Sequence, residues 1–300
     1  MSAATITAAE TVRLTSGRSR ERSLGSVVFV SLLWFSLFFG VAVLFVLLVD
    51  TAIKGSARFD SQLLFGYESS IRAETTGFRA GIIGTLWLMV GTAAFAVPLG
   101  VGAGLYLEEF SNQKKWYNRL IEVNLQNLAA VPSVVYGLLA VAVMALLGFQ
   151  LKNIVLGGAI ALALLILPVI IITIREAVRA VPVEIRHASL ALGATLWQTT
   201  WKQTLPSAVP GIATGTILGL SRAIGEAAPL LLLGIGAIRF DPNGFMSQVT
   251  ALPIQIYRMS SQSQVEFQEA ASAGIIVLLI MILGLNGLAI FIRNKFQRTW

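Results

Sequence analysis

Arg222 and Glu226 lie four residues apart within residues 211–237, a stretch whose other side chains are apolar, small or weakly polar. A charged side chain at the centre of a bilayer costs at least about 2.5 kcal/mol on insertion scales, which makes both positions candidates for function. Residues four apart share a helical face, so the two can pair. One reading is a buried ion pair that fixes a helix–helix contact, although desolvation can exceed the attraction in such pairs. The other takes Arg222 as an anion ligand, because a planar guanidinium presents donors that match two oxygens of a tetrahedral oxyanion. A carboxylate beside it then favours an anion that still carries a proton to donate. Phosphate near neutral pH does and sulfate does not, and a site built on a donated hydrogen bond rejects the analogue lacking it. Pro229 leaves the Gly225 carbonyl without its usual helical partner. A local break there could turn backbone N–H groups toward an anion.

The elements that hold these residues follow from composition. Of 300 residues, 56% are hydrophobic and 12% are charged, about half the charge of a soluble domain. The fold class is an all-α polytopic membrane protein. The formal charge of +7 comes from bases scattered at the polar ends of apolar stretches, which points to a loop bias and not to nucleic acid. There is no cysteine, and the single histidine, His187, cannot form a metal site. No catalytic constellation stands out, and a cofactor or metal bound by this chain is not expected.

Residues 1–24 read as a polar cytoplasmic tail with Arg13, Arg18, Arg20 and Arg22 at its end. The apolar run 24–49 is too long for the core of a cleaved signal peptide and reads as a first membrane helix, residues 25–50. An external loop, 51–80, precedes a core of five further helices within 81–295, with candidate spans at 81–107, 128–148, 154–174, 211–237 and 271–292; residues 296–300 form the cytoplasmic end. Pro98, Pro168 and Pro229 predict kinks, and the glycines at 100, 102 and 104 permit close helix packing. With both termini inside, 14 Lys and Arg fall on the cytoplasmic side and 7 outside, four of those in the first outer loop. The positive-inside rule favours that orientation. Glu108 and Glu109 read as a solvated helix end. Ser133 and Tyr136 could line a path or serve as polar helix-packing groups.

Residues 175–210 are too long for a simple turn. Pro182 and Gly193 bound one short helix, residues 183–192. Residues 194–204 suit a second, ended by Leu205-Pro206 because the residue before proline avoids the helical region. Trp197 and Trp201 would share one face of it. The spacing His187-Ala188-Ser189, three residues, Gly193, nine residues, then Gln203-Thr204-Leu205-Pro206 resembles the cytoplasmic loop of ABC importer permeases, with His187 and Gln203 standing where that family has Glu and Ile. The likeness extends to phosphate-specific permeases of the PstA type through Val131-Pro132-Ser133-Val134-Val135-Tyr136-Gly137, Arg175-Glu176-Ala177, Ala191-Leu192-Gly193-Ala194-Thr195, Arg222-Ala223-Ile224-Gly225-Glu226-Ala227-Ala228-Pro229 and Leu252-Pro253-Ile254-Gln255-Ile256-Tyr257. Ala227 departs from the threonine more usual there.

The resemblance implies a type I ABC permease fold in a bacterial inner membrane, importing inorganic phosphate. It implies a coupling surface carrying Glu184, His187, Ala188, Ser189, Gly193, Leu205 and Pro206 that docks on an ATPase. Implied partners are a second, PstC-type permease, two PstB-type ATPase subunits that hold the ATP and Mg, and an external PstS-type phosphate-binding protein. No phosphate-binding Gly-x-x-x-x-Gly-Lys motif occurs in this chain, so ATP hydrolysis belongs to a separate chain. Alternatives at this stage are a permease for sulfate or molybdate, a proton-coupled secondary carrier using Glu226, and a membrane enzyme acting on phosphorylated lipids.

Overall fold

The computed structural model describes residues 24–112 and 114–296; the expected tail, apart from its last residue, and residues 297–300 lie outside the described residues. In chain order the helices are α1 (Leu24–Ser56), α2 (Ser61–Phe65), α3 (Arg79–Leu105), α4 (Trp116–Ala129), α5 (Ser133–Leu146), α6 (Val155–Arg179), α7 (Val183–Ala191), α8 (Leu196–Thr199), α9 (Leu205–Ile224), α10 (Ala228–Leu232), α11 (Leu252–Ser260) and α12 (Val265–Phe296). Two π-helical turns, Tyr106–Phe110 and Thr200–Thr204, extend α3 and join α8 to α9. The chain divides into a unit of residues 1–50 and a unit of residues 51–300. Among the described residues the first is a single apolar helix whose side chains are exposed throughout.

In the larger unit α6 is the axis, with Leu162, Ile166, Ile170 and Ile174 fully covered. Lipid offers helices no hydrophobic drive to associate, so close backbone approach at small residues supplies the packing. The sequence places such residues on both neighbours of α6. On α3, a Cβ at Gly100 would come within 2.5 Å of Ile170 and one at Gly104 within 2.6 Å of Ile174. Along α9, the run Gly211, Gly215, Gly219 lies against Ala177, Thr173 and Ile170 in turn, and a Cβ at Gly215 would lie 2.7 Å from the Thr173 Cβ. Both helices therefore seat on α6 through flat, side-chain-free stripes.

Four helices among the described residues are long and apolar enough to cross a membrane: Gly25–Ser56, Arg79–Phe110, Val155–Arg179 and Val265–Lys295. They match the first, second, fourth and sixth expected spans. The third and fifth are broken. Residues 128–148 were expected as one span, but the chain bends by 108° between α4 and α5. Proline disfavours a helical residue before it, so Val131-Pro132 ends one helix and Pro132 caps the next. Residues 211–237 divide into α9 and α10, with Pro229 in the first turn of α10. Proline lacks the N–H and crowds the carbonyl four residues back, which here is that of Gly225.

The loop after α10 closes the N-terminal end of α6. The Val155 and Leu156 N–H groups donate to the Ser247 and Phe245 carbonyls at 3.0 and 2.8 Å, satisfying donors that a helix start leaves orphaned. A second apolar cluster joins Leu63 and Phe78 to α11 and α12 through Leu252, Ile256 and Phe267. Beside it the buried Glu68 accepts from Arg258 at 3.1 Å and Gln255 at 3.2 Å. In the first outer loop Arg58 pairs with Asp60 and Arg79 with Asp241.

The α9 stripe yields a direct test. Gly215→Val overpacks the α6 seam, so a loss of about 1–3 kcal/mol is expected, read as a lower unfolding midpoint in detergent. Gly102→Ala is the control. Nothing lies within 4 Å of its Cβ position, and a helical Gly→Ala change is expected to raise the midpoint, by up to about 1 kcal/mol.

Candidate functional site

The Arg222–Glu226 pair spans the break between α9 and α10. Arg222 stands in the last turn of α9, where the partial negative charge of the carbonyl end favours a cation, and Glu226 lies in the three-residue connection before Ala228. The Arg222 Nε lies 3.6 Å from the Glu226 Oε1, and the two side chains are 45% and 22% exposed. The pair is therefore an open contact rather than the tight buried bridge of the first reading, and the guanidinium keeps donors in reserve. Next to it, Ser221 donates to the Asn286 side chain, linking α9 to α12.

The α5 helix brings Ser133 and Tyr136 to this region. Gly137 makes it possible: a Cβ there would meet Pro229 at 2.7 Å, so α5 lies directly against the first turn of α10. Tyr136 immediately precedes that glycine on α5. Its ring is buried, and its hydroxyl donates to the Leu128 carbonyl at 2.6 Å. That bond pins α5 to the end of α4 across the bend. Ser133 is half-buried at the start of α5.

The loop residues form a second group. On α7 no residue is buried, and Glu184, His187 and Ala188 are exposed. Ser189 shares a 2.9 Å hydrogen bond with Thr199, so α7 and α8 brace one another. Gly193 takes a φ of +85° between them, a conformation that costs other residues about 1–2 kcal/mol. A capping box of Thr195 and Gln198 starts α8. Leu205-Pro206 does not end the second helix as expected. The π-helical turn Thr200–Thr204 runs straight into α9, with Pro206 in its first turn.

The solvated reading of Glu108 and Glu109 is overturned. Both lie on the π-helical turn Tyr106–Phe110 and are nearly covered, with side chains 9% and 4% exposed. Arg179 grips Glu108 with two donors at 2.9 and 3.0 Å, and the buried Arg175 reaches Glu108 at 3.4 Å and Glu122 at 3.3 Å. Arg186 holds Glu109 at 2.9 Å. Sequence held one usable sign of this cluster: Arg175 and Arg179 lie four apart at the end of one apolar run, and the glutamate pair stands at the end of another.

The description "binding-protein-dependent transport system inner membrane component" fits residues 96–299. The chain belongs to that family. It is 31% identical over 283 residues to the phosphate transport system permease protein PstA of Pasteurella multocida, covering 92% of this chain and 96% of that one. The Yersinia pestis protein of the same name is 29% identical over 93% of this chain and 92% of its own, and PstA 1 of Mycobacterium tuberculosis H37Rv is 34% identical over 72% and 70%. The fold is that of type I ABC permeases. A chain of a bacterial alginate ABC transporter, crystallised with an alginate pentasaccharide-bound periplasmic protein, superposes with a TM-score of 0.60 at 19% identity, covering 91% of this chain and 99% of its own. A chain of the inward-facing MetNI methionine transporter gives 0.59 at 17% identity over 73% and 97%.

Two substitutions separate packing from chemistry here. Tyr136→Phe removes the hydroxyl's bond to the Leu128 carbonyl, which keeps the Val131 N–H as a donor, and is expected to cost about 1 kcal/mol, seen as a modest fall in unfolding midpoint. Gly137→Val forces Pro229 away from α5; the expected result is a protein present in the membrane at normal amount but without transport.

Proposed function

We propose that this chain is the transmembrane permease subunit of an ATP-driven importer of inorganic phosphate, sitting in a bacterial inner membrane with both termini on the cytoplasmic side. The observation that carries the reading is an arginine and a carboxylate placed at a helix break, on a half-exposed flank, in a chain similar over nearly its whole length to phosphate permeases. In a membrane, an arginine half-exposed on one subunit calls for a facing surface that keeps lipid away. A second permease of similar fold, closing over this flank of α9, supplies that surface and makes the path a two-subunit construction.

Phosphate transfer along such a path needs weak, directional contacts, since a site that must release its ligand cannot hold it tightly. Arg222 provides paired donors. Glu226 accepts a hydrogen bond from a protonated phosphate oxygen, and the 3.6 Å separation leaves room for an anion to draw the guanidinium away from it. The chain joins to its energy source through the exposed α7 helix, on which His187 and Ala188 are presented and Gly193 sets the turn. Tight capture outside belongs to an external phosphate-binding protein, and ATP with its Mg to two ATPase subunits. Movement of the loop then tilts α6 and α9 and switches access to the path.

Uptake by vesicles holding the assembled importer tests this reading. Phosphate uptake is expected to require ATP and to stop with vanadate; uptake that needs only a proton gradient would overturn it. Arg222→Ala is expected to abolish uptake while the subunits still co-purify. Glu226→Gln is expected to cost about 10-fold or more of the preference for phosphate over sulfate, each unit of 1.4 kcal/mol being tenfold; unchanged preference removes Glu226 from the selectivity argument. A cysteine introduced at exposed His187 is expected to crosslink to the ATPase subunit.

A further inference from the structure

The α7 helix buries none of its own residues, yet it must pass force to a bundle. Its strongest attachment is Arg186. That side chain donates to Glu109 from Nε at 2.9 Å, with Nη2 2.8 Å from the same carboxylate oxygen, and it donates to the Val181 carbonyl at 3.0 Å and to the Val178 carbonyl at 2.7 Å. One guanidinium thus joins α7, the end of α6 and the end of α3. The last turn of α3 makes a second contact, Phe110 against Trp197 of α8 with ring centroids 5.8 Å apart. Being π-helical, that turn aims three successive side chains at three partners: Glu108 at α6, Glu109 at α7 and Phe110 at α8. Widened turns of this kind recur where helices do work.

We infer that the last turn of α3 receives the motion of the α7–α8 loop, and that Glu109 is the positioning residue that keeps loop and helix moving as one body. An aromatic contact can slide, but a charge-assisted bond from a guanidinium to a carboxylate is directional. Glu109 is 4% exposed at its side chain and Arg186 is its one ion-pair partner among the described residues, so loss of Arg186 leaves a covered carboxylate without its counter-charge. Beyond it α3 is locked to α6 through Gly100 and Gly104, and a displacement received at Phe110 is carried up both helices. Glu108 does not share this role, because both its partners are on α6.

The inference rests on reading the loop as the ATPase-docking segment, and its test does not depend on the cargo. The chain has no cysteine, so spin labels can be placed singly at Leu99→Cys on α3 and Leu192→Cys beyond α7, both on exposed positions, in the complete importer with its ATPase. The expected result is a label-to-label distance that stays constant when ATP and vanadate are added. In Glu109→Gln the distance is expected to shift on the same addition, while ATP hydrolysis continues. The exchange Glu109→Arg with Arg186→Glu is expected to restore a constant distance. A shift of equal size in the unsubstituted protein overturns the inference. So does a Glu109→Gln distance that stays constant, or one already altered without nucleotide and not restored by the exchange, which marks a plain folding anchor. Failure of the phosphate reading would show separately, as absence of phosphate uptake by the unsubstituted importer.

Discussion

Everything in the larger unit hangs on how closely two helices approach α6. In lipid the apolar surface of a helix gains nothing by meeting another apolar surface, so contact area alone selects no partner. What selects is shape, and here it is set by Gly100 and Gly104 on one side and Gly211, Gly215 and Gly219 on the other. These stripes fix α3 and α9 against Ile170, Thr173, Ile174 and Ala177. Polar groups are then added at the edges of a frame that already stands. Arg222 is three residues past Gly219, on the flank that the stripe leaves uncovered.

The frame also explains why charge is tolerated at two levels of the same bundle in two different ways. Near the α7–α8 loop, Arg175, Arg179 and Arg186 are matched to Glu108, Glu109 and Glu122 by several donors, and most of the cluster is covered. At the α9–α10 break, one arginine meets one carboxylate across a longer gap and stays open. A covered network of this kind resists change, since each charge is needed by another. An open pair with spare donors can trade its partner for an anion. The difference between holding and handing over is written in the geometry of arginine and glutamate alone.

Much of this was legible in the residues. Apolar length announced α3, α6 and α12, Pro182 and Gly193 announced α7, and a four-residue spacing announced the Arg222–Glu226 pair. The breaks were less legible because proline has two opposite meanings: Pro132 and Pro229 open helices, Pro98 and Pro168 sit inside them, and Pro206 rides on a widened turn. Which meaning holds depends on neighbours that can satisfy a freed carbonyl. Glu108 and Glu109 were misread for a related reason. Their partners lie 67 to 77 positions along the chain, and no local pattern says whether a carboxylate at a helix end meets water or arginine.

The widened turn at Thr200–Thr204 has one more consequence. A residue added to a helical turn sets everything after it at a new phase, by about 100° relative to an unbroken α-helix. The glycine stripe of α9 faces α6, and Arg222 faces the open flank, only at the phase this turn provides. The α7–α8 loop is thus more than a connector: its exit is the index mark by which the helix carrying the arginine is timed against the rest of the bundle.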